Sequence, residues 1–302
     1  MPTFVFRALP VSHRTPLIPL ILVLVGTLGV AAQEAAVNEI SPNLLVFATS
    51  TGNVVCSVGT DGALLVGIPS AASTPVISKI LASRTSSPVR ILVIAPQDLA
   101  HSEGDAGWGK RGAVVAMHEN ALRRLGGDTM GVLPALSPEF VKLGVDRPRV
   151  AFSEVLAFDM NREAIHVVHQ KPGYSDADAL AHFHAAKLVY FGEVFPGDGY
   201  PGIDPAQGGT LDGVLKTLES WTSSSFKVVP ARGKVTDGSS LKEFVDMIVT
   251  VRDRVHRSMQ SGKTDNQIVA EHPTAEFDEK WGRGRVSADA FVREIYAALK
   301  GQ

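Results

Sequence analysis

The sequence predicts an α/β domain, and three observations carry that expectation. Apolar runs with strand alternation recur from residue 43 onward, helical periodicity follows each group of them, and no short repeat or low-complexity tract interrupts the pattern. The 302 residues are 45% hydrophobic, enough to bury a substantial core, and a formal net charge of −2 offers no electrostatic footprint for nucleic acid.

The chain starts with a segment of a different kind. Arg7 and Arg14 precede the apolar run "PLIPLILVLVGTLGV", and the small residues Val30, Ala31 and Ala32 precede Gln33, as in a signal peptide and its cleavage site. The run holds Pro19 and falls short of the ~20 apolar residues that a bilayer span requires. Residues 1–32 are therefore expected to be an export signal and 33–302 one domain, periplasmic or secreted, with no membrane association beyond the export segment; an uncleaved anchor is the other reading. Cys56 is the sole cysteine, so no intrachain disulfide forms, and its place in "NVVCSVG" fits a small buried hydrophobe better than a reactive thiol.

After the leader, "NLLVFAT", "GNVVCSVGTDGALLVGI" and "VRILVIA" read as strands, with "GTDG" as a hairpin turn. Between them "TPVISKILAS" has helical spacing, with Thr74 as N-cap and Pro75 at the first helical position. The strand at Ile94 then opens into a polar loop holding Asp98, His101, Glu103 and Asp105, the kind of segment on which α/β proteins place chemistry. A short helix, "HENALRRLG", ends at glycine. A second block of strands follows in "RVAFSEVLAFDM", "EAIHVVHQ", "LAHFHA" and "KLVYFGEVF", then the helix "TLDGVLKTLESW" and the strand "FKVVPA". The tail carries a long amphipathic helix near "SLKEFVDMIVTVRDRVHRSMQSG" and a final one, "SADAFVREIYAALKG".

The segments "GNVVCSVGTDGALLVG", "GKRGAVVAMHEN", "PGYSDADALAHFHAAKLVYFGEVF", "VVPARGKVTD" and "PTAEFDEKWG" together resemble the metallo-β-lactamase superfamily, in order and from about residue 40 to the C-terminus. The resemblance implies an αββα sandwich: two facing mixed sheets, helices on the outer faces, and metal ions at one edge. It also implies a ligand set of His-x-His-x-Asp-His, a histidine in a Gly-His-Thr turn, an aspartate in a Gly-Asp pair and a histidine after Pro-Gly. Imidazoles and carboxylates of that kind hold zinc and acidify a bound water into a nucleophile.

This chain departs from that set. Anchored on "GWGK", the first motif falls on Pro96, Asp98, Ala100 and His101, of which the first and third offer no ligating side chain. The later positions fall on Tyr174, Glu193 and Arg232, and Gly67 stands where a supporting acid is usual. A guanidinium stays protonated and only donates hydrogen bonds. At 4 Å and an effective dielectric of 20 it repels a unit charge by roughly 4 kcal/mol and a dication by twice that. Arg232 is therefore expected to fill the role of the cation, facing Asp98 and Glu193.

The expected cleft comprises Asp98, His101, Tyr174, Glu193 and Arg232, with Lys110 and Lys234 as further positive charge nearby. Asp98 and Glu193 could serve as a general acid and base pair, or simply as salt-bridge partners of the arginine. His101 keeps a family ligand position yet also fits a hydrogen-bonded surface histidine. His166 and His169 lie three apart in a strand and so on opposite faces; His182 and His184 share a face in a strand read as packing; His118 matches a family residue that is not a ligand. The Gly- and Pro-rich "PGDGYPGIDPAQGGT" reads as a flap over the cleft. No metal or cofactor is expected, and the functional expectation is a non-hydrolytic pseudoenzyme that binds a small molecule in the inherited cleft. The alternative is a hydrolase with a remodelled mononuclear zinc site built from Asp98, His101 and Glu193.

Overall fold

A computed structural model describes residues 35–94, 107–124, 126 and 148–301. The first sheet runs β1 (Ala35–Ser41), β2 (Leu44–Thr49), β3 (Asn53–Gly59), β4 (Gly62–Val66), β5 (Val89–Val93), β6 (Val114–His118) and β7 (Val150–Phe152), adjacent in that order. Its first four strands are antiparallel neighbours and the rest pair in parallel. The second sheet holds β8 (Val155–Met160), β9 (Glu163–His169), β10 (Ala179–Phe183), β11 (Leu188–Gly192) and β12 (Lys227–Pro230), again adjacent in sequence order, with only β11 and β12 parallel.

Strand alternation sorts each apolar run between two layers. Leu44, Val46, Val55, Leu64 and Val66 of the first sheet meet Ile165, Val167, Ala181, Phe183, Leu188 and Tyr190 of the second in a central core. Their neighbours of opposite parity turn outward. Leu45, Phe47, Val54, Cys56 and Leu65 pack on Ile77 and Leu81 of α1 (Thr74–Ala82) and Leu122 of α2 (Glu119–Arg124). On the other side Leu180, Val189, Phe191 and Val228 pack under α3 (Leu211–Glu219), α4 (Gly238–Gln260) and α7 (Ala288–Lys300). Because both faces of β2, β3, β4, β10 and β11 are covered, those strands read as continuous apolar runs. The described residues thus form the expected α/β sandwich of two mixed sheets with helices outside.

Local chemistry sets the helix boundaries. Thr210 caps α3 through Gly213 N, Asp237 caps α4 through Ser239 N and Ser240 N, and Ser287 caps α7 through Ala290 N. Two short helices, α5 (Asp265–Val269) and α6 (Asp278–Trp281), lie between, the first closed by a capping box of Thr264 and Gln267. The start of α1 differs from the sequence expectation. Ser73, not Thr74, is the N-cap, because the Ser70 carbonyl already accepts both the Thr74 N–H at 3.1 Å and its hydroxyl at 3.0 Å, winding the chain one residue early.

Candidate functional site

Two parallel strands, β11 and β12, deliver their C-terminal ends to the same edge, and the turns that follow stay paired. Ala231 N donates to Phe195 O at 2.9 Å and Arg232 N to Pro196 O at 3.0 Å, so Glu193 and Arg232 emerge side by side. The first sheet anchors the same turn: Asn53, buried at the start of β3, donates from Nδ2 to Pro230 O at 2.9 Å and Gly233 O at 3.0 Å. Gly197 follows closely, with φ +83° and a backbone so near the Arg232 carbonyl that a Cβ would collide with it.

Glu193 and Arg232 form a bidentate pair, Nη1 to Oε1 at 2.5 Å and Nη2 to Oε2 at 3.0 Å, with side chains only 8% and 16% exposed. The remaining Nε–H of Arg232 points to Asp198, 3.0 and 3.1 Å from its two oxygens. A second guanidinium, Arg285 from the segment before α7, also donates to Glu193 Oε1. One nearly buried carboxylate thus lies between two arginines, and one arginine between two acids. Charge-assisted forks of this kind are short, directional and selective.

Tyr174 reaches the same place on the loop between β9 and β10. Asp178, buried beneath that loop, accepts from Gly173 N at 3.1 Å, Tyr174 N at 2.7 Å, and Ser175 N and Oγ at 3.0 and 2.9 Å. Burial pushes its carboxyl up, to about 7, against the pull of these four donors. Tyr174, Glu193, Arg232 and Arg285 line one cavity of about 260 Å3, together with Tyr200 and Glu294. Lys110 and Lys234 are exposed and do not line it.

The segment "PGDGYPGIDPAQGGT" forms a packed wall rather than a flap. Tyr200 is buried, stacks on Phe291 with ring centroids 4.9 Å apart, and donates its hydroxyl to Asp278 Oδ1 at 2.7 Å. Pro96, Asp98, Ala100, His101, Glu103 and Asp105 lie outside the described residues, as do residues 1–34, where the sequence predicts an export signal. The structure therefore brings together Tyr174, Glu193 and Arg232 of the expected cleft and adds Asp198 and Arg285, which sequence reasoning missed. Neither had a local signal, since Asp198 lies 34 residues from Arg232 and Arg285 lies 92 residues from Glu193.

The other histidines settle elsewhere. His169 stacks on His118 at 4.1 Å, and each Nε2 faces a backbone carbonyl, Asp176 O at 3.0 Å and Ser153 O at 2.8 Å. His118 Nδ1 accepts from Asn120 N at 3.2 Å, which fixes its neutral tautomer with the proton on Nε2. His166, on the opposite face of β9, meets His184 at 3.0 Å; His182 lies against His184 and the edges of Trp221 and Phe226, and burial brings it down to about 4.

The side chains at the described ligand positions do not fit a zinc ion. Tyr174 offers a phenol in place of an imidazole, Arg232 is a cation, and both Glu193 oxygens already accept guanidinium protons. Gly67, where a supporting acid is usual, has φ +108°, and a Cβ there would stand 2.8 Å from Asn53 O. Among the described residues no group of three or more His, Cys, Asp and Glu side chains could hold a metal ion. None of their helices is long and apolar enough to cross a membrane.

No protein-family profile matches the chain, and no curated protein does. Solved structures do. The DIM-1 metallo-β-lactamase is similar over 70% of this chain and 96% of its own, with a TM-score of 0.55 and 14% identity. A metallo-β-lactamase from Pontibacter korlensis is similar over 70% of this chain and 99% of its own, with a TM-score of 0.52 and 14% identity. A double mutant of the sec-alkyl sulfatase PisA1 shares 88% of this chain but 50% of its own, with a TM-score of 0.59 and 15% identity. The chain has the metallo-β-lactamase fold.

Proposed function

We propose that this is an exported, non-hydrolytic ligand-binding protein in which Arg232 replaces the cation of the metallo-β-lactamase fold. One observation carries the reading: the single carboxylate at a described ligand position, Glu193, is held on both oxygens by Arg232 and again by Arg285. A metal entering there would have to displace two guanidiniums and then sit beside them. The same pairing argues against Glu193 as a general base, since both of its oxygens already accept guanidinium protons. What the cleft keeps is shape, a tyrosine and fixed charge, the ingredients of a selective small-molecule site.

The reading is tested by thermal unfolding with and without zinc chloride. A ligand at 100 times its Kd stabilises by about 2.7 kcal/mol. The transition is expected to stay in place, and a zinc-dependent rise of several degrees would support the mononuclear site of Asp98, His101 and Glu193 instead.

A further inference from the structure

A second cavity, of about 380 Å3, lies beside the first and shares Ile203 and Glu294 with it. It opens between the start of α3 and the last turns of α7. Ile203, Leu211, Ala297 and Ala298 supply an apolar lining, Glu294 and Asp212 supply two carboxyl groups, and no basic residue lines it. Asp212 sits on the exposed rim, 4.0 Å from Lys216.

Glu294 is less well satisfied than the buried acids described. Glu193 has two arginines, Asp178 four donors, and the buried Glu163 two backbone N–H groups, from Ala185 at 2.6 Å and Ala186 at 3.1 Å. Among the described residues Glu294 accepts one hydrogen bond, from Ile203 N to Oε2 at 3.1 Å, and the like-signed Asp204 acts with burial to push its carboxyl up. A half-buried carboxyl so placed is under-satisfied, and a cation is the species that would relieve it. The C-terminal turn of α7, ending against the cavity at Gly301, adds the negative end of a helix dipole.

We infer that this cavity binds a primary alkylammonium ion, its ammonium on Glu294 and its hydrocarbon chain along Ile203, Leu211 and Ala298. Three N–H donors match the vacant lone pairs of the carboxyl, and the small apolar volume suits a short chain. An organic anion would meet two acids and no base. The inference goes beyond the reading of the first cleft and does not depend on whether that cleft takes a metal.

Hexylammonium chloride, sodium hexanoate and 1-hexanol, each titrated into the whole protein at pH 8 by calorimetry, test it. Hexylammonium should bind saturably and hexanoate should not, with hexanol weaker by about tenfold or more for want of the charged hydrogen bond. Glu294→Gln keeps an acceptor for Ile203 N and should weaken hexylammonium by a similar factor. Ala297→Phe, at an exposed position of α7, fills the groove without touching Glu294 and should abolish binding. Affinity should also fall from pH 8 to pH 6 as Glu294 takes up a proton; the other ionisable groups facing the two cavities are Asp204, Asp212, Glu193, Tyr174, Tyr200, Arg232 and Arg285. Hexanoate binding as tightly as hexylammonium, or either variant binding within twofold of the parent, overturns the assignment.

Discussion

Replacing Arg232 by methionine removes the fork on Glu193 while keeping a side chain of similar length. The lost contacts are two hydrogen bonds of 2.5 and 3.0 Å to a carboxylate 8% exposed, and the partner of Asp198. Breaking a buried pair from one side typically costs about 3 to 5 kcal/mol. Arg285 remains on Oε1 and Arg232 is itself 16% exposed, so the lower end applies, about 3 kcal/mol. For a domain of this size that is a fall in Tm of roughly 6 to 10 °C. Urea unfolding of Arg232→Met, Glu193→Met and the double variant provides the cycle: each single change should be costly, and the double should be less costly than their sum by about 2 kcal/mol. Arg232→His, which restores a family ligand, should lose stability without gaining affinity for zinc. A single-variant cost below about 1 kcal/mol, or additivity within about 0.5 kcal/mol, would refute the reasoning.

Asp178→Asn, isosteric on paper, should cost about 2 kcal/mol, because its amide must face backbone N–H groups that now donate to a carboxylate oxygen; urea unfolding measures it. Burial pushes the Glu294 carboxyl up to about 7 from an ordinary 4.5. Its stability contribution is thus complete below pH 4.5 and lost as pH rises through about 7. Discounted for partial exposure, wild type should lose about 1 kcal/mol more than Glu294→Gln between pH 5 and 8, and equal losses would contradict this. Cys56 is fully buried and burial pushes its thiol up, so a disulfide reagent at pH 8 should label the chain only as it unfolds.

Much of the sandwich was legible because burial on both faces leaves a strong apolar signal. The runs around Val55 and Tyr190 could be placed as strands with no knowledge of their partners. β1 escaped notice for the converse reason: at the edge of its sheet, most of "AAVNEIS" is exposed and shows no alternation. α5 and α6, four or five residues long, fall below the length at which helical periodicity registers. At the site, Tyr174, Glu193 and Arg232 were reached through family positions, while the ring of charge around them was not. Asp198 and Arg285 meet Glu193 and Arg232 only after β11, β12 and α7 have packed, and nothing local in "PGDG" or "GRGR" marks them as partners. Sequence placed Asp98 and Glu193 opposite Arg232; the structure gives that arginine Glu193 and adds Asp198, while Asp98 lies outside the described residues.

The replacement of a metal by a guanidinium is tested most directly by the zinc content of the whole protein, stripped with chelator, reloaded with excess zinc, freed of loose metal and assayed by elemental analysis. With Arg232 and Arg285 holding Glu193, zinc should remain far below one ion per chain, and Arg232→His should not raise it. Retention of one or two ions per wild-type chain would contradict the account.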